Sequence, residues 1–270
     1  MAETIEAKKT KKSDGWGETV RTVVYAVLIA LVVRTFAIEP FNIPSGSMIP
    51  TLLIGDYLFV SKFSYGYSRY SFPFSAGGFS GRLFFTPPKR GDVVVFKYPG
   101  DQGEGMNRTD YVKRVIGLPG DRVQVTGGIL VINGTPVRRE KVEGRTIDTD
   151  GETGTLYWET LPGGVRHLIL EETDDGPEDN TPVFTVPPGR YFMMGDNRDN
   201  SADSRTPLML RDVTGAPRMN ATLGWTVPAE NLVGRAEFIF FSYDSAVAGW
   251  TEPWKWPVAL RYGRLLQAIR

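Results

Sequence analysis

The sequence predicts a mostly β protein: antiparallel sheets forming a β-rich core with a peripheral β subdomain, preceded by one N-terminal transmembrane helix. Three observations predict it. The stretch Thr22–Val33 is uncharged and apolar throughout. Beyond Pro40, apolar residues come in short β-branched or aromatic runs divided by Gly, Pro and Asn turns. Few segments after Pro40 carry helical periodicity, the short basic LRYGRLLQAIR at the C-terminus being the main candidate.

Residues 1–19 are polar, with Lys8, Lys9, Lys11 and Lys12 in a basic run, and are expected to form a disordered cytoplasmic tail. Residues 20–38 are the expected anchor. As a helix at about 1.5 Å per residue they reach roughly 28 Å, close to the hydrocarbon thickness of a bilayer. A cleaved leader would need an A-x-A-like site, but the run leads into Arg34-Thr35-Phe36-Ala37-Ile38-Glu39-Pro40, without a small-x-small pair. A buried soluble helix is the other alternative. The basic residues before the span favour a cytoplasmic N-terminus, with everything after it on the outer side, and Arg34 is expected to snorkel to the interface.

The remainder divides into a first core part at 39–125, an inserted β-rich subdomain at 126–185 and a second core part at 186–270. Expected strands are VVVF (93–96), RVQV (122–125), ILVI (129–132), HLIL (167–170), PVFTV (182–186), RYFMM (190–194) and AEFIFF (236–241). The polar stretches 64–88, 140–160 and 171–182 are expected to be loops or peripheral structure.

Composition excludes several chemistries. The 31 basic and 31 acidic residues cancel, which argues against a nucleic-acid partner. There is no Cys, hence no disulfide, thiolate nucleophile or Cys-bound zinc. The single His, His167, lies between Arg166 and Leu168 and is expected to be exposed and idle. Nucleophilic chemistry in this chain therefore calls for a base other than histidine.

Three segments could supply it. Phe41-Asn42-Ile43-Pro44-Ser45-Gly46-Ser47-Met48 places two serines around a glycine just beyond the anchor, where a serine can present both hydroxyl and amide N–H. A plain Ser/Gly turn is the alternative reading. In Tyr111-Val112-Lys113-Arg114-Val115-Ile116, alternation puts Lys113 on one strand face with Tyr111 and Val115. Such a lysine either snorkels to water or is buried, and burial lowers its pKa from about 10.4 towards the range a general base needs. The third segment, Gly195-Asp196-Asn197-Arg198-Asp199-Asn200-Ser201-Ala202-Asp203-Ser204-Arg205, is dense in acids and amides. It fails as a calcium loop: counted from Asp196 it has Arg198 at a ligand position, and counted from Asp199 it has Leu210 where the closing Glu belongs.

Together PSGSMIPTL, RGDVVVF, YVKRVIGLPGD and GDNRDNSADSR, in that order, resemble the bacterial type I signal peptidases, the Ser/Lys leader peptidases. Trp256-Pro257, Leu260-Arg261 and Arg264 are also similar to that family, and the resemblance covers 34–125 and 186–264. It implies a signal-peptidase-like catalytic domain in which Ser47 is the nucleophile and Lys113 the general base. Ser45 and the backbone N–H of Ser47 would form the oxyanion hole. Ser201 would hold the lysine ammonium, with Asp203 and Arg205 supporting that loop. The implied substrate pocket is Phe41, Ile43, Pro44, Met48, Leu52, Leu58, Val95, Tyr111 and Val112. The implied partners are exported preproteins and the lipid bilayer, with no nucleic acid, metal or cofactor. The implied setting is the bacterial inner membrane, with a monomer whose catalytic domain lies outside; the one apparent anchor departs from the family's two-span members. A Ser/Lys peptidase dedicated to one substrate, and an anchored scaffold without activity, are the rival readings. Aromatic residues in Tyr65–Phe85 and at Trp250, Trp254 and Trp256 are expected either to dip into the outer leaflet or to belong to a packed β core.

Overall fold

The computed structural model describes residues 15–72, 78–101, 108–149, 151–211, 217–249 and 251–270. The basic run Lys8–Lys12, residues 73–77 of the aromatic loop and Trp250 lie outside them. The chain begins with α1 (Gly15–Phe36), a 22-residue helix whose apolar side chains are exposed along its length. Among the described residues it is the one helix long and apolar enough to cross a membrane. Residues 15–19, expected in the disordered tail, are helical, and the expected anchor at 20–38 runs two residues past the end of the helix. Ala37 N–H closes the helix on Val33 C=O, and Ile38 already pairs with Ser61 as the first residue of a strand. Arg34 extends into solvent but also donates to Glu39 at 2.9 Å.

Beyond the helix the chain is antiparallel β, as expected. The largest sheet contains β1 (Ile38–Asn42), β2 (Asp56–Ser61), β3 (Val93–Lys97), β4 (Asp110–Gly117), β5 (Arg190–Met194) and β6 (Leu232–Ser242). Its order is β1-β2-β6-β3-β4-β5, extended by Val227–Pro228 beyond β5 and by Gln267–Ala268 beside β6. Central β3 is apolar at Val93–Phe96 because it packs on both faces. One face meets Ile43, Met48, Leu52 and Leu58, and the other meets Tyr65, Tyr191 and Trp225.

Two smaller sheets carry most of the inserted segment. Arg122–Thr126, Ile129–Ile132 and Phe184–Thr185 form part of one, and Arg138–Thr149, Glu152–Thr160 and Arg166–Glu171 form the other. Of the two readings open for 140–160, loops or peripheral structure, the second holds: Arg138–Thr149 and Glu152–Thr160 pair as strands. Most of Glu152–Thr160 is only partly buried, so the pairing rests on backbone hydrogen bonds and leaves little apolar alternation to detect. The C-terminal segment is not a helix either. It makes one turn at Tyr262–Arg264 and then pairs through Gln267–Ala268 with β6, while Arg264 is drawn into an ion pair with buried Asp56.

The aromatic segment divides. Tyr65 and Tyr70 belong to the core, while Phe84 and Trp254 are 86% and 71% exposed.

Candidate functional site

The serine loop is fixed from below. Ile43 N–H donates to Asp56 C=O, Gly55 N–H donates to Ile43 C=O, and a single 3-10 turn at Gly46–Met48 is closed by Ile49 N–H on Gly46 C=O. Met48, Ile49 and Leu52 are buried and hold the turn to the sheet, which leaves Ser45 exposed and Ser47 half-buried. At Gly46 a Cβ would come within 3.1 Å of Glu152 Oε1 and Ile49 Cδ1, so any larger residue would have to displace those side chains. The two serine hydroxyls lie 3.5 Å apart.

Lys113 reaches this turn from β4. Its backbone is in register with Val94, and its side chain is 3% exposed. The Nζ donates to Ser47 Oγ at 2.5 Å and lies 5.6 Å from the centre of the Tyr111 ring, on the shared face that strand alternation requires. Burial lowers the pKa of the amine to about 8, against a partial opposing pull from Asp203 and Asp196. A serine hydroxyl with a hydrogen-bonded, partly neutral amine is the arrangement that nucleophilic catalysis needs.

The third segment wraps behind the pair. Gly195 packs against Ser47 C=O and Ser201 Oγ so closely that a Cβ there would lie 2.4 Å and 2.2 Å from them. Asp203 accepts from Gly195 N–H at 2.9 Å and from Arg205 Nε and Nη2 at 2.9 and 2.8 Å. The pairing of Asp203 with Arg205 is thus present. Arg205 also donates to Arg198 C=O, which ties the loop to itself. Ser201 stands near the pair, but its buried Oγ has no hydrogen-bond partner among the described residues, Lys113 included.

A cleft of about 550 Å³ opens over these groups. Of the nine expected pocket residues, Phe41, Ile43, Pro44, Met48, Tyr111 and Val112 line it. Leu52, Leu58 and Val95 do not. They are wholly buried in the core cluster beneath Ile43 and Met48, because alternation and loop packing turn them inward. Thr109, Asp110, Asn200 and Ala202 complete the wall and had no role assigned from sequence. Pairing of β5 with β4 starts only at Arg114, so one backbone edge of Asp110–Lys113 stays open on the cleft, and β1 is the terminal strand of its sheet. Unpaired strand edges accept an extended peptide as an added strand.

Beneath the cleft lies a buried charge network that sequence reasoning missed. Arg114 grips Asp196 bidentately at 2.8 and 2.7 Å and donates to Gly91 C=O at 2.7 Å. Thr51, from the serine loop, donates to the same carboxylate at 2.5 Å. Arg198 pairs bidentately with Glu159 at 2.9 and 2.7 Å. His167 is not exposed, contrary to expectation. It is sealed between Glu159 and Asp196, its Nε2 3.4 and 3.8 Å from their oxygens. Burial, helped by the Arg114 charge, lowers its pKa to about 4 and keeps the ring neutral. Arg114, Asp196 and Arg198 sit inside segments already singled out. Glu159 and His167 face each other across two strands and become visible as partners only once that register is known.

A signal peptidase model, peptidase S26, matches residues 16–241. Signal peptidase I of Rickettsia canadensis (strain McKiel) is 39% identical over 242 residues, covering 87% of this chain and 83% of its own. Signal peptidase I of Rickettsia typhi (strain ATCC VR-144 / Wilmington) is 41% identical over 226 residues, covering 81% of this chain and 77% of its own. A crystal structure of a signal peptidase I from Enterococcus faecalis V583 is 24% identical and covers 56% of this chain and 97% of its own, with a TM-score of 0.28.

Proposed function

The chain belongs to the signal peptidase family, peptidase S26, and from that premise we propose a membrane-bound serine endopeptidase that removes N-terminal signal peptides from exported preproteins at small-x-small sites. The single observation that carries the reading is the 2.5 Å contact of a buried lysine Nζ with a serine Oγ at the floor of a peptide-sized cleft.

In this mechanism the neutral amine of Lys113 removes the Ser47 proton as Oγ attacks the scissile carbonyl carbon. The oxyanion that forms is received by the Ser45 hydroxyl and the Ser47 backbone N–H. Collapse expels the amine of the mature protein, which takes its proton from the Lys113 ammonium, and leaves the signal peptide esterified to Ser47. Water, deprotonated by Lys113, then hydrolyses the ester. Ser201 is assigned to hold the ammonium when it turns from Ser47, which agrees with its buried, unpartnered hydroxyl. Asp203 and Arg205 keep that loop in shape. The substrate adds to the open edge of Asp110–Lys113, and the apolar wall of Phe41, Ile43, Pro44, Met48, Tyr111 and Val112 receives its small side chains. Leu52, Leu58 and Val95 support that wall from behind.

The apolar part of α1, from Val20 to Phe36, is assigned to the inner membrane, N-terminus in the cytoplasm and catalytic domain outside. Exposed Phe84 and Trp254 suit contact with the outer leaflet, where both a membrane-bound substrate and the anchor would lie. The direct test is purification of the full-length protein in detergent with a preprotein, followed by N-terminal sequencing of the product and mass spectrometry of Ser47 after an acylating inhibitor. Cleavage without an adduct on Ser47 would assign the nucleophile elsewhere.

The lowered pKa of Lys113 fixes a pH profile. Only the neutral amine is competent, so acylation rises with pH through about 8 and levels off above it. Two units below that midpoint, about 1% of the plateau rate remains. Single-turnover acylation measured from pH 6 to 10 checks this, and a flat profile refutes the assigned base. Ser45→Ala removes one oxyanion donor and is expected to lower the acylation rate by about 10²–10³-fold with little change in KM. An unchanged rate would take Ser45 out of the site.

A further inference from the structure

We propose that Glu171, Asp179 and Asp199 form a binding site for a hard divalent cation of the calcium class, which fastens the acidic segment 171–179 to the loop carrying Ser201 and Asp203. One ligand oxygen from each carboxylate lies within 4.8 Å of those of the other two. Three oxygens no more than 4.8 Å apart all lie within about 2.8 Å of one common point, so a small inward movement of the side chains brings them to the Ca–O distance of about 2.3–2.6 Å. The donor set is all oxygen, which favours calcium, magnesium or manganese over zinc or copper.

Proximity of carboxylates alone would not identify a ligand. The independent observation is Glu171 itself. It is 3% exposed, and among the described residues no N–H or hydroxyl donates to either of its carboxylate oxygens, whose close side-chain neighbour is the Asp179 carboxyl. Buried carboxylates are ordinarily paired, hydrogen-bonded or bound to metal. Its nearest cation is Arg139, 3.9 Å away, and that guanidinium is already engaged by Asp174 at 2.9 Å and Gly128 C=O at 3.1 Å. Arg198 is committed to Glu159 and Arg205 to Asp203. The other two carboxylates are pre-oriented: Asp179 Oδ2 accepts from Gly176 N–H at 2.7 Å, and Asp199 Oδ2 accepts from Glu172 and Thr173 N–H at 2.6 and 3.1 Å.

Two segments distant in sequence supply the ligands, so no contiguous calcium-loop motif reveals the site. Leu170 N–H donates to Asp196 C=O, and Arg198 N–H donates to Leu170 C=O. That pairing brings Asp199 alongside Glu171. A proton on Glu171 is the rival way to relieve the same charge, since burial pushes its pKa up to about 8.

Calorimetric titration of calcium chloride into the EDTA-treated full-length protein in detergent separates the two. The expected result is one saturable site with Kd on the order of 10⁻⁴–10⁻³ M, typical of extracellular calcium modules. At a hundredfold excess over Kd the melting temperature is expected to rise by about 5–10 °C above a sodium chloride control of equal ionic strength. Glu171→Gln and Asp199→Asn, which keep side-chain size, are each expected to lose the heat and the shift. Absence of saturable heat in the unsubstituted protein, or an equal shift in both variants, overturns the site in favour of a protonated Glu171. Neither readout depends on peptidase activity.

Discussion

Replacing Lys113 by methionine will abolish preprotein cleavage and at the same time raise the melting temperature at neutral pH. Removal of the base from a nucleophile–base pair is expected to lower the rate on the order of 10⁴-fold or more, and Ser47→Ala should do the same. The double substitution should be no worse than either single one, because the two groups act as a unit. The gain in stability has a separate origin. A lysine whose pKa is about 8 when folded and 10.5 when unfolded opposes folding wherever the unfolded lysine is charged, because folding must then either bury the ammonium or strip its proton. That cost is full below about pH 8, shrinks between 8 and 10.5, and is gone above. At pH 7 it amounts to about 3 kcal/mol. Methionine occupies a similar volume without a charge to desolvate, and half-buried Ser47 can turn its hydroxyl to water. The substitution is therefore expected to raise the melting temperature by roughly 5–10 °C at about pH 7, with the difference closing as the pH rises towards the unfolded-state pKa. Thermal unfolding followed by circular dichroism across that range checks it. A variant that still cleaves, or one less stable than the parent at neutral pH, would show that the amine is neither the base nor desolvated.

The second large effect is expected at Arg114 and Asp196, which lie under the cleft and touch no substrate. Both side chains are at most 1% exposed. Burial alone would raise the Asp196 pKa, but the Arg114 guanidinium more than offsets this and holds the carboxyl below its usual range. Arg114→Ala leaves a buried carboxylate without its guanidinium, leaves Gly91 C=O without a donor, and removes the Nη2 donation to Thr51 Oγ1, so that Thr51 alone still bonds Asp196. Such a break typically costs about 3–5 kcal/mol, equivalent here to a fall of order 10 °C in melting temperature. Arg114→Met combined with Asp196→Leu removes both charges and should recover most of that loss. Denaturant unfolding of the three variants decides the matter. A single substitution within about 0.5 kcal/mol of the parent would mean that the pair is not isolated from water.

The sequence was most legible where local pattern and chemistry coincide. The unbroken apolar run of α1, the β-branched strands Val93–Phe96 and Asp110–Gly117, and the Pro-bracketed serines each announce their local conformation. Alternation alone placed Lys113 on the face of Tyr111. Legibility failed where the stabilising partner is distant. The 138–160 hairpin lacks apolar alternation, His167 looked like a surface residue beside Arg166, and the C-terminal Gln267–Ala268 became a strand because β6 offers it an edge. Leu52, Leu58 and Val95, expected to line the pocket, lie in the core cluster one layer beneath the cleft.

A single apolar span, an antiparallel β body and the residue types of a serine–lysine chemistry, without cysteine or available histidine, are all written in the amino-acid order. They arise from short-range periodicity and from composition, which need no knowledge of what packs where. Three-dimensional packing alone makes Lys113 dry and brings it within hydrogen-bonding distance of Ser47, lets Arg114 and Asp196 neutralise each other below them, and gathers Glu171, Asp179 and Asp199. Desolvation and Coulomb energies depend on distances between residues far apart along the chain, and those distances exist only after the sheets have closed around them.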